Sequence, residues 1–405
     1  MAKFGGRTIL RALLALTATA MILIGGYTGY VTVRHDRSID LPAPDGPYAV
    51  GRAVVDWTDQ SRTDPLAPGP AIARTLSIWL WYPAPAGATG KPAPYAPGPW
   101  ARLHLSGVAG LGETTFAAVH DHAIESAPVA PGRFPIVVWE PGLGFAAPQY
   151  TAIAESLAGH GYLVVGVTPT YSANLTVING QVIGSTTTGN PAAFDSGDLH
   201  TGAAQQAGDR LLAVWSADAR FAAAQAAALD HSGQFAGHVD AAGVVYAGHS
   251  FGGAAALQAC HDDPRCAAAV NLDGTQFGPV VRTGLRAPSL TMASEDSCVT
   301  GTCRAATAAD RSDQAVARAF RDAGSGPAWS YQVAGMHHFN FSDYDAYYLA
   351  APLRRLLAMG PISRNRGLTI TDAYLVAFLD HVLRRRAEPL LTAGSPQFPE
   401  VRREG

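Results

Sequence analysis

The sequence predicts an α/β protein: a mostly parallel central sheet with helices on both faces, preceded by an N-terminal helix able to cross a membrane. Three observations carry this. Residues 135–139, 162–167, 243–247 and 267–272 are short, continuously apolar runs, the pattern of strands buried on both faces. Helical patterns separate them, as parallel strands require crossovers. Ahead of them all, residues 12–33 carry no charge; at about 1.5 Å per residue such a stretch covers a bilayer core of about 30 Å.

The N-terminus comes first. Lys3, Arg7 and Arg11 precede the uncharged stretch, so the basic flank is expected to stay cytoplasmic and the rest to lie outside. A cleaved signal peptide competes with an uncleaved anchor. The run is long for a signal core, and Gly25-Gly26-Tyr27-Thr28-Gly29-Tyr30 offers no clean cleavage site, which favours a single-pass anchor; the alternative is secretion after cleavage. The expected organisation is a basic flank and transmembrane segment over 1–35, a linker over 36–50 carrying Pro42, Pro44, Gly46 and Pro47, and one domain over 51–405.

Strand-like runs begin at 53–57 and 76–82, and a Pro/Gly-rich loop follows at 83–99. Trp79, Trp81 and Tyr82 read as strand core. Helices are expected over 150–157, 210–229, 253–261, 315–323 and 369–386, and further strands over 289–293 and 329–333. Residues 171–200 are rich in Thr, Gly, Asn and Ser without periodicity; a loop of that length is usually functional or mobile.

Composition narrows the function. Charged residues make up 15% of the 405 and hydrophobic residues 48%, too apolar for a disordered chain. The 43 glycines lack a three-residue period, which removes collagen. A net charge of -3 without a basic patch argues against nucleic acid as a partner. The four cysteines form two local pairs, Cys260 with Cys266 and Cys298 with Cys303. Two disulfides suit an exported domain, and the spacings are loose for a four-thiolate zinc site.

The chemistry centres on Gly248-His249-Ser250-Phe251-Gly252-Gly253, between the strand 243–247 and an Ala-rich helix. This is G-x-S-x-G in its strand–turn–helix setting, where small neighbours permit a sharp turn that exposes the serine hydroxyl. A serine needs a base to take its proton. His261, His337, His338 and His381 follow Ser250. Of these, His337 and His338 lie just past the last expected strand; His338 is the choice and His337 the alternate. For the orienting acid, Asp273 at one strand end and Glu295 or Asp296 at the next stand open. An oxyanion hole needs two N–H donors. Phe251, after the nucleophile, supplies one. Leu143, in the loop Glu140-Pro141-Gly142-Leu143-Gly144-Phe145, is the candidate for the other, ahead of Gly142; Pro141 has no N–H. Glu140 either tunes the site or hydrogen-bonds structurally, and His120-Asp121-His122 reads as a polar surface loop.

Taken together, these residues make the chain resemble the platelet-activating-factor acetylhydrolase family, the plasma-like type II branch of the α/β-hydrolases. The matching pieces are Trp79-Leu80-Trp81-Tyr82-Pro83, Phe134-Pro135-Ile136-Val137-Val138 before Gly142-Leu143-Gly144, Leu157-Ala158-Gly159-His160-Gly161-Tyr162, the Ser250 motif, Asn271-Leu272-Asp273-Gly274, His338-Phe339-Asn340-Phe341-Ser342-Asp343 and Phe398-Pro399-Glu400-Val401. The resemblance implies an α/β-hydrolase fold and a Ser250–His338–Asp273 triad with Leu143 and Phe251 as oxyanion donors, working without metal or cofactor. It also implies 1-alkyl-2-acetylglycerophosphocholine esterase-like cleavage of a lipid ester. Glu140-Pro141 departs from the Ser-His that the family often carries there. The rival expectations are a broad esterase or cutinase-like lipase, an acyltransferase, and an inactive membrane-anchored binding protein.

Overall fold

The computed structural model describes residues 6–35, 37–103, 116–195, 197–347 and 359–404; Lys3 and the rest of 1–5 lie outside the described residues. The chain begins with helix α1 (Gly6–His35). None of its apolar span, Leu10–Arg34, is buried against protein. The strands are β1 (Ile39–Asp40), β2 (Ala49–Thr63), β3 (Ala73–Ala84), β4 (Val119–His120), β5 (Ile124–Glu125), β6 (Phe134–Glu140), β7 (Leu163–Thr168), β8 (Thr176–Ile178), β9 (Gln181–Ile183), β10 (Val239–His249), β11 (Cys266–Leu272), β12 (Ser289–Ser294), β13 (Ala328–Val333) and β14 (Val401–Arg403). The helices after α1 are α2 (Thr151–Gly159), α3 (Gly202–Ala228), α4 (Phe251–Asp262), α5 (Val280–Thr283), α6 (Ala308–Ala323) and α7 (Arg366–Arg384).

Ten strands form one sheet in the order β14-β13-β12-β11-β10-β6-β7-β3-β2-β5. The six from β13 to β7 are parallel. β14 adds antiparallel at one edge, and β3 and β2 add antiparallel at the other. The sheet is therefore mixed with a parallel centre, as an α/β-hydrolase fold requires. β3 is buried as continuously as the parallel strands, so its sequence carries no sign of its direction. β2 alternates buried and exposed positions, because one face meets water.

Side chains alternate across the sheet and build two cores. Trp79, Trp81, Val137 and Trp139 pack with α2 and α7 through Ile153, Leu157, Leu375 and Phe378. Ile136, Val138 and Tyr246 pack with α3, α4 and α6 through Ala222, Leu257 and Phe320. The alanines of α3 let that helix sit close to the strands.

Three readings of the sequence are corrected. First, α6 begins at Ala308 rather than 315, because Thr307 and Asp310 cap it reciprocally: Asp310 N–H donates to Thr307 Oγ1 (3.1 Å) and Thr307 N–H to Asp310 Oδ2 (2.8 Å). α3 likewise starts at Gly202, capped by Thr201. Second, 171–200 is not structureless. β8 and β9 form a hairpin whose turn, Asn179-Gly180, has φ of 49° and 74°, the two left-handed residues that such a hairpin favours. Third, His120-Asp121-His122 is at the surface with both histidines exposed, as expected, but the Asp121 carboxylate is turned inward. Asp121 is buried and pairs with Arg52 at 2.7 Å, and His122 Nε2 lies 2.8 Å from the Leu41 carbonyl. That contact, together with the β1–β4 pairing and the burial of Ile39 and Leu41, docks residues 39–41 of the expected linker against the rest of the chain. Both expected disulfides, Cys260–Cys266 and Cys298–Cys303, are formed.

Arg74 on β3 is fully buried. It donates to Asp218 of α3 (2.6 Å), Asp64 (2.9 Å) and the Thr170 carbonyl (2.9 Å), which joins the antiparallel edge to α3. Arg74→Ala leaves buried Asp64 without its cation and Asp218 with Arg62 alone, and is expected to cost about 3–5 kcal/mol, read by urea unfolding.

Candidate active site

The site stands at the carboxyl ends of β6, β10, β11 and β12. After β10 the chain turns sharply at Ser250, at φ 56° and ψ -127°, a conformation that is costly for any residue with a side chain. Neighbouring glycines hold it there. A Cβ on Gly252 would lie 2.2 Å from the Pro141 carbonyl oxygen and 2.4 Å from that of Glu140, and one on Gly248 would lie 2.4 Å from the backbone of Gly252. The turn directs Ser250 Oγ to His338 Nε2 at 2.8 Å. His338 Nδ1 in turn meets Asp273 Oδ2 at 2.8 Å. A hydroxyl facing an imidazole that is oriented by a carboxylate is the geometry of an activated nucleophile.

Asp273 is itself held at φ 58°. Asn271 staples the turn: its Oδ1 accepts from Gly274 N–H (3.0 Å) and its Nδ2 donates to the Gly274 carbonyl (2.8 Å). Ser294 N–H donates to the other carboxylate oxygen at 2.8 Å. Burial raises the Asp273 acid, but the His338 imidazole and Ser294 outweigh burial and leave it below the ordinary aspartate value.

The alternates lie elsewhere. Glu295 is exposed and accepts from Gly335 N–H at 2.7 Å, bracing the turn before the histidine loop. Asp296 accepts from Ser294 Oγ. His337 binds by its backbone N–H to Asn340. Gly142 N–H is taken by Tyr150 Oη at 2.8 Å, so of the two loop candidates Leu143 has the N–H not engaged by that phenol. Phe251 opens α4, where N–H groups and the helix dipole favour negative charge. Leu143, Phe194, Leu199, Phe251, Thr275 and Phe277 line a cavity of about 150 Å³ over Ser250 and His338. Glu140 is fully buried, and among the described residues neither carboxyl oxygen has a hydrogen-bond partner. It therefore does not fill the hydrogen-bonding role considered for it. Burial and the nearby Asp218 push its acid well up.

Several supporting residues carried no role in the sequence reading: Asn271, Ser294, Tyr150 and His249. Asn271 sits three residues before a glycine, a local pattern that could have revealed it. Ser294 and Tyr150 reach the site from distant elements, and no spacing reports that.

Two outcomes test the geometry. Gly252→Ala places a methyl group against rigid backbone and is expected to destabilise by at least about 2 kcal/mol in thermal unfolding. The depressed acid of Asp273 contributes stability that is present above about pH 4 and is lost as pH falls through its folded value. Asp273→Asn is therefore expected to flatten the loss of stability between about pH 5 and 3, measured by urea titration at each pH.

Comparisons with known proteins agree with the fold. Residues 226–388, which include Ser250, Asp273 and His338, match the family platelet-activating factor acetylhydrolase, isoform II. A protein of Arthroderma benhamiae named probable 1-alkyl-2-acetylglycerophosphocholine esterase is 25% identical over 404 residues, covering 89% of this chain and 92% of that relative. The structure of a ferulic acid esterase from Streptomyces cinnamoneus superposes with a TM-score of 0.72 at 28% identity, covering 91% of this chain and all of the other. The match to that family over 226–388, the esterase relatives and the fold make the chain an α/β-hydrolase similar to carboxylic ester hydrolases.

Proposed function

We propose that the chain is an exported, membrane-tethered serine hydrolase of carboxylic esters, with one catalytic domain over 51–405. The observation that carries this reading is the Ser250–His338–Asp273 chain of two 2.8 Å contacts. Ser250 Oγ attacks the ester carbonyl as its proton passes to His338 Nε2. Asp273 fixes the imidazole tautomer and balances its charge. The N–H groups of Phe251 and Leu143 take the oxyanion. His338 returns the proton to the leaving alkoxide, and water, activated by the same base, releases the acid from Ser250. The apolar N-terminal helix supports a tether, and the two disulfides support export.

The substrate is a lipid ester with a short acyl chain, of the 1-alkyl-2-acetylglycerophosphocholine type. The named relative supports this, as does a cavity of about 150 Å³, below the roughly 300–1,000 Å³ of common ligand sites. A second reading, an aromatic acyl ester, has its own support: Phe194, Phe251 and Phe277 line the cavity, and the structural relative is a ferulic acid esterase.

Ser250→Ala is expected to lower kcat on a short-chain ester by at least about 10³-fold and to abolish labelling by a fluorophosphonate; a labelled, active variant would overturn the mechanism. Short-acyl phospholipids, feruloyl esters and triglycerides compared at equal concentration decide the substrate. Fastest turnover of the first supports the lipid reading, fastest turnover of the second replaces it, and preference for triglycerides overturns both.

A further inference from the structure

One hydrogen-bonded chain joins the three loops of the site. Gly142 N–H in the oxyanion loop meets Tyr150 Oη at 2.8 Å. Tyr150 Oη meets His249 Nδ1 at 2.8 Å. His249 Nε2 meets the backbone carbonyl of His338 at 2.9 Å. His249 immediately precedes Ser250, so the chain runs from the oxyanion loop through the nucleophile turn to the histidine loop.

Its direction follows from which atoms can donate. A carbonyl only accepts, so His249 Nε2 carries a hydrogen. A backbone N–H only donates, so Tyr150 Oη accepts from Gly142 and spends its own hydrogen on His249 Nδ1. Every link is satisfied only when His249 is neutral with its hydrogen on Nε2. A proton on Nδ1 would confront the phenol and leave the phenol hydrogen without its acceptor.

We propose that Tyr150 and His249 are positioning residues whose one-way hydrogen-bond chain sets Gly142-Leu143 and the His338 backbone relative to Ser250. The proposal rests on reading Ser250 as the nucleophile.

The surroundings keep His249 neutral. Its ring lies 4.5 Å from that of His338 and near Phe145 and Phe341. The titratable groups facing it are His338, Asp273 and Tyr150. Burial first, and then His338, lower its basicity well below that of an ordinary histidine, against a smaller opposite pull from Asp273. Burial also keeps the Tyr150 phenol protonated. A second cation beside His338 would oppose the imidazolium formed as Ser250 attacks. The chain thus assigns the only proton shift among these rings to His338.

Tyr150→Phe and His249→Gln in the full-length protein test this, with fluorophosphonate labelling of wild type as the check on Ser250. Tyr150→Phe is expected to lower kcat about 10- to 100-fold with KM within about threefold, because the loops shift relative to the nucleophile. Burial and His338 still hold His249 down in that variant, so the acid limb of log kcat against pH should keep its one-proton slope. His249→Gln should lose kcat similarly, with KM again within about threefold. Either variant retaining kcat within about twofold of wild type, or losing kcat/KM only through a raised KM, overturns the proposal. If Tyr150→Phe does not fold by circular dichroism, the kcat of His249→Gln decides alone. Loss of labelling in wild type would instead overturn the reading of Ser250 itself, a separate result.

Discussion

The backbone at Ser250 is the constraint on which the site depends. A serine held at φ 56° stores about 1–3 kcal/mol that the surroundings must offset. They do so by contact. Gly248 and Gly252 let β10 and α4 approach the carbonyls of Glu140 and Pro141 to distances that a methyl group would forbid. Gly253 does the same against Asn271, whose side chain then staples Gly274 and turns Asp273 toward His338. Ser250, Asp273 and the loop of Gly142 and Leu143 are thus fixed by one packed knot of backbone, and flexible side chains have little freedom within it.

The histidine loop follows β13, and buried polar groups anchor it. Asp343 accepts from Thr151 N–H and Ala152 N–H at the start of α2 and from Tyr95 Oη. Burial pushes its acid up to about 7 despite those donors. Asn340 holds the N–H groups of His337 and Gly360. Since α2 follows the oxyanion loop, the contact of Asp343 with α2 ties the loop bearing His338 to the loop bearing Leu143. The Tyr150–His249 chain ties the same two loops nearer the reacting atoms.

Away from the site, the antiparallel edge is held by charge rather than by apolar contact alone. Arg74, Asp64 and Asp218 leave no buried charge unpaired in that cluster, which matters because breaking such a pair costs more than forming it gains. Glu140 shows the opposite solution. It has no donor among the described residues, and burial pushes its acid well up.

The sequence by itself determined the features that local physics controls. Buried strands appear as unbroken apolar runs, the turn at Ser250 as paired glycines between strand and helix, and the membrane-length helix as absence of charge. Each is set within a few residues, so it is legible without the fold. The caps at Thr201 and Thr307 and the Asn179-Gly180 hairpin were equally local and were legible in the same way. Only the tertiary structure decided what depends on distant segments meeting. Asp273 faces His338 across 65 positions while Glu295 and Asp296 turn to solvent. β3 runs antiparallel though its burial pattern matches a parallel strand. Asp121 lies beneath Arg52 rather than in water. Tyr150 and His249 meet across 99 positions. Hydrogen-bond partners and strand directions are properties of pairs, and a single chain read in order shows only one member of each pair at a time.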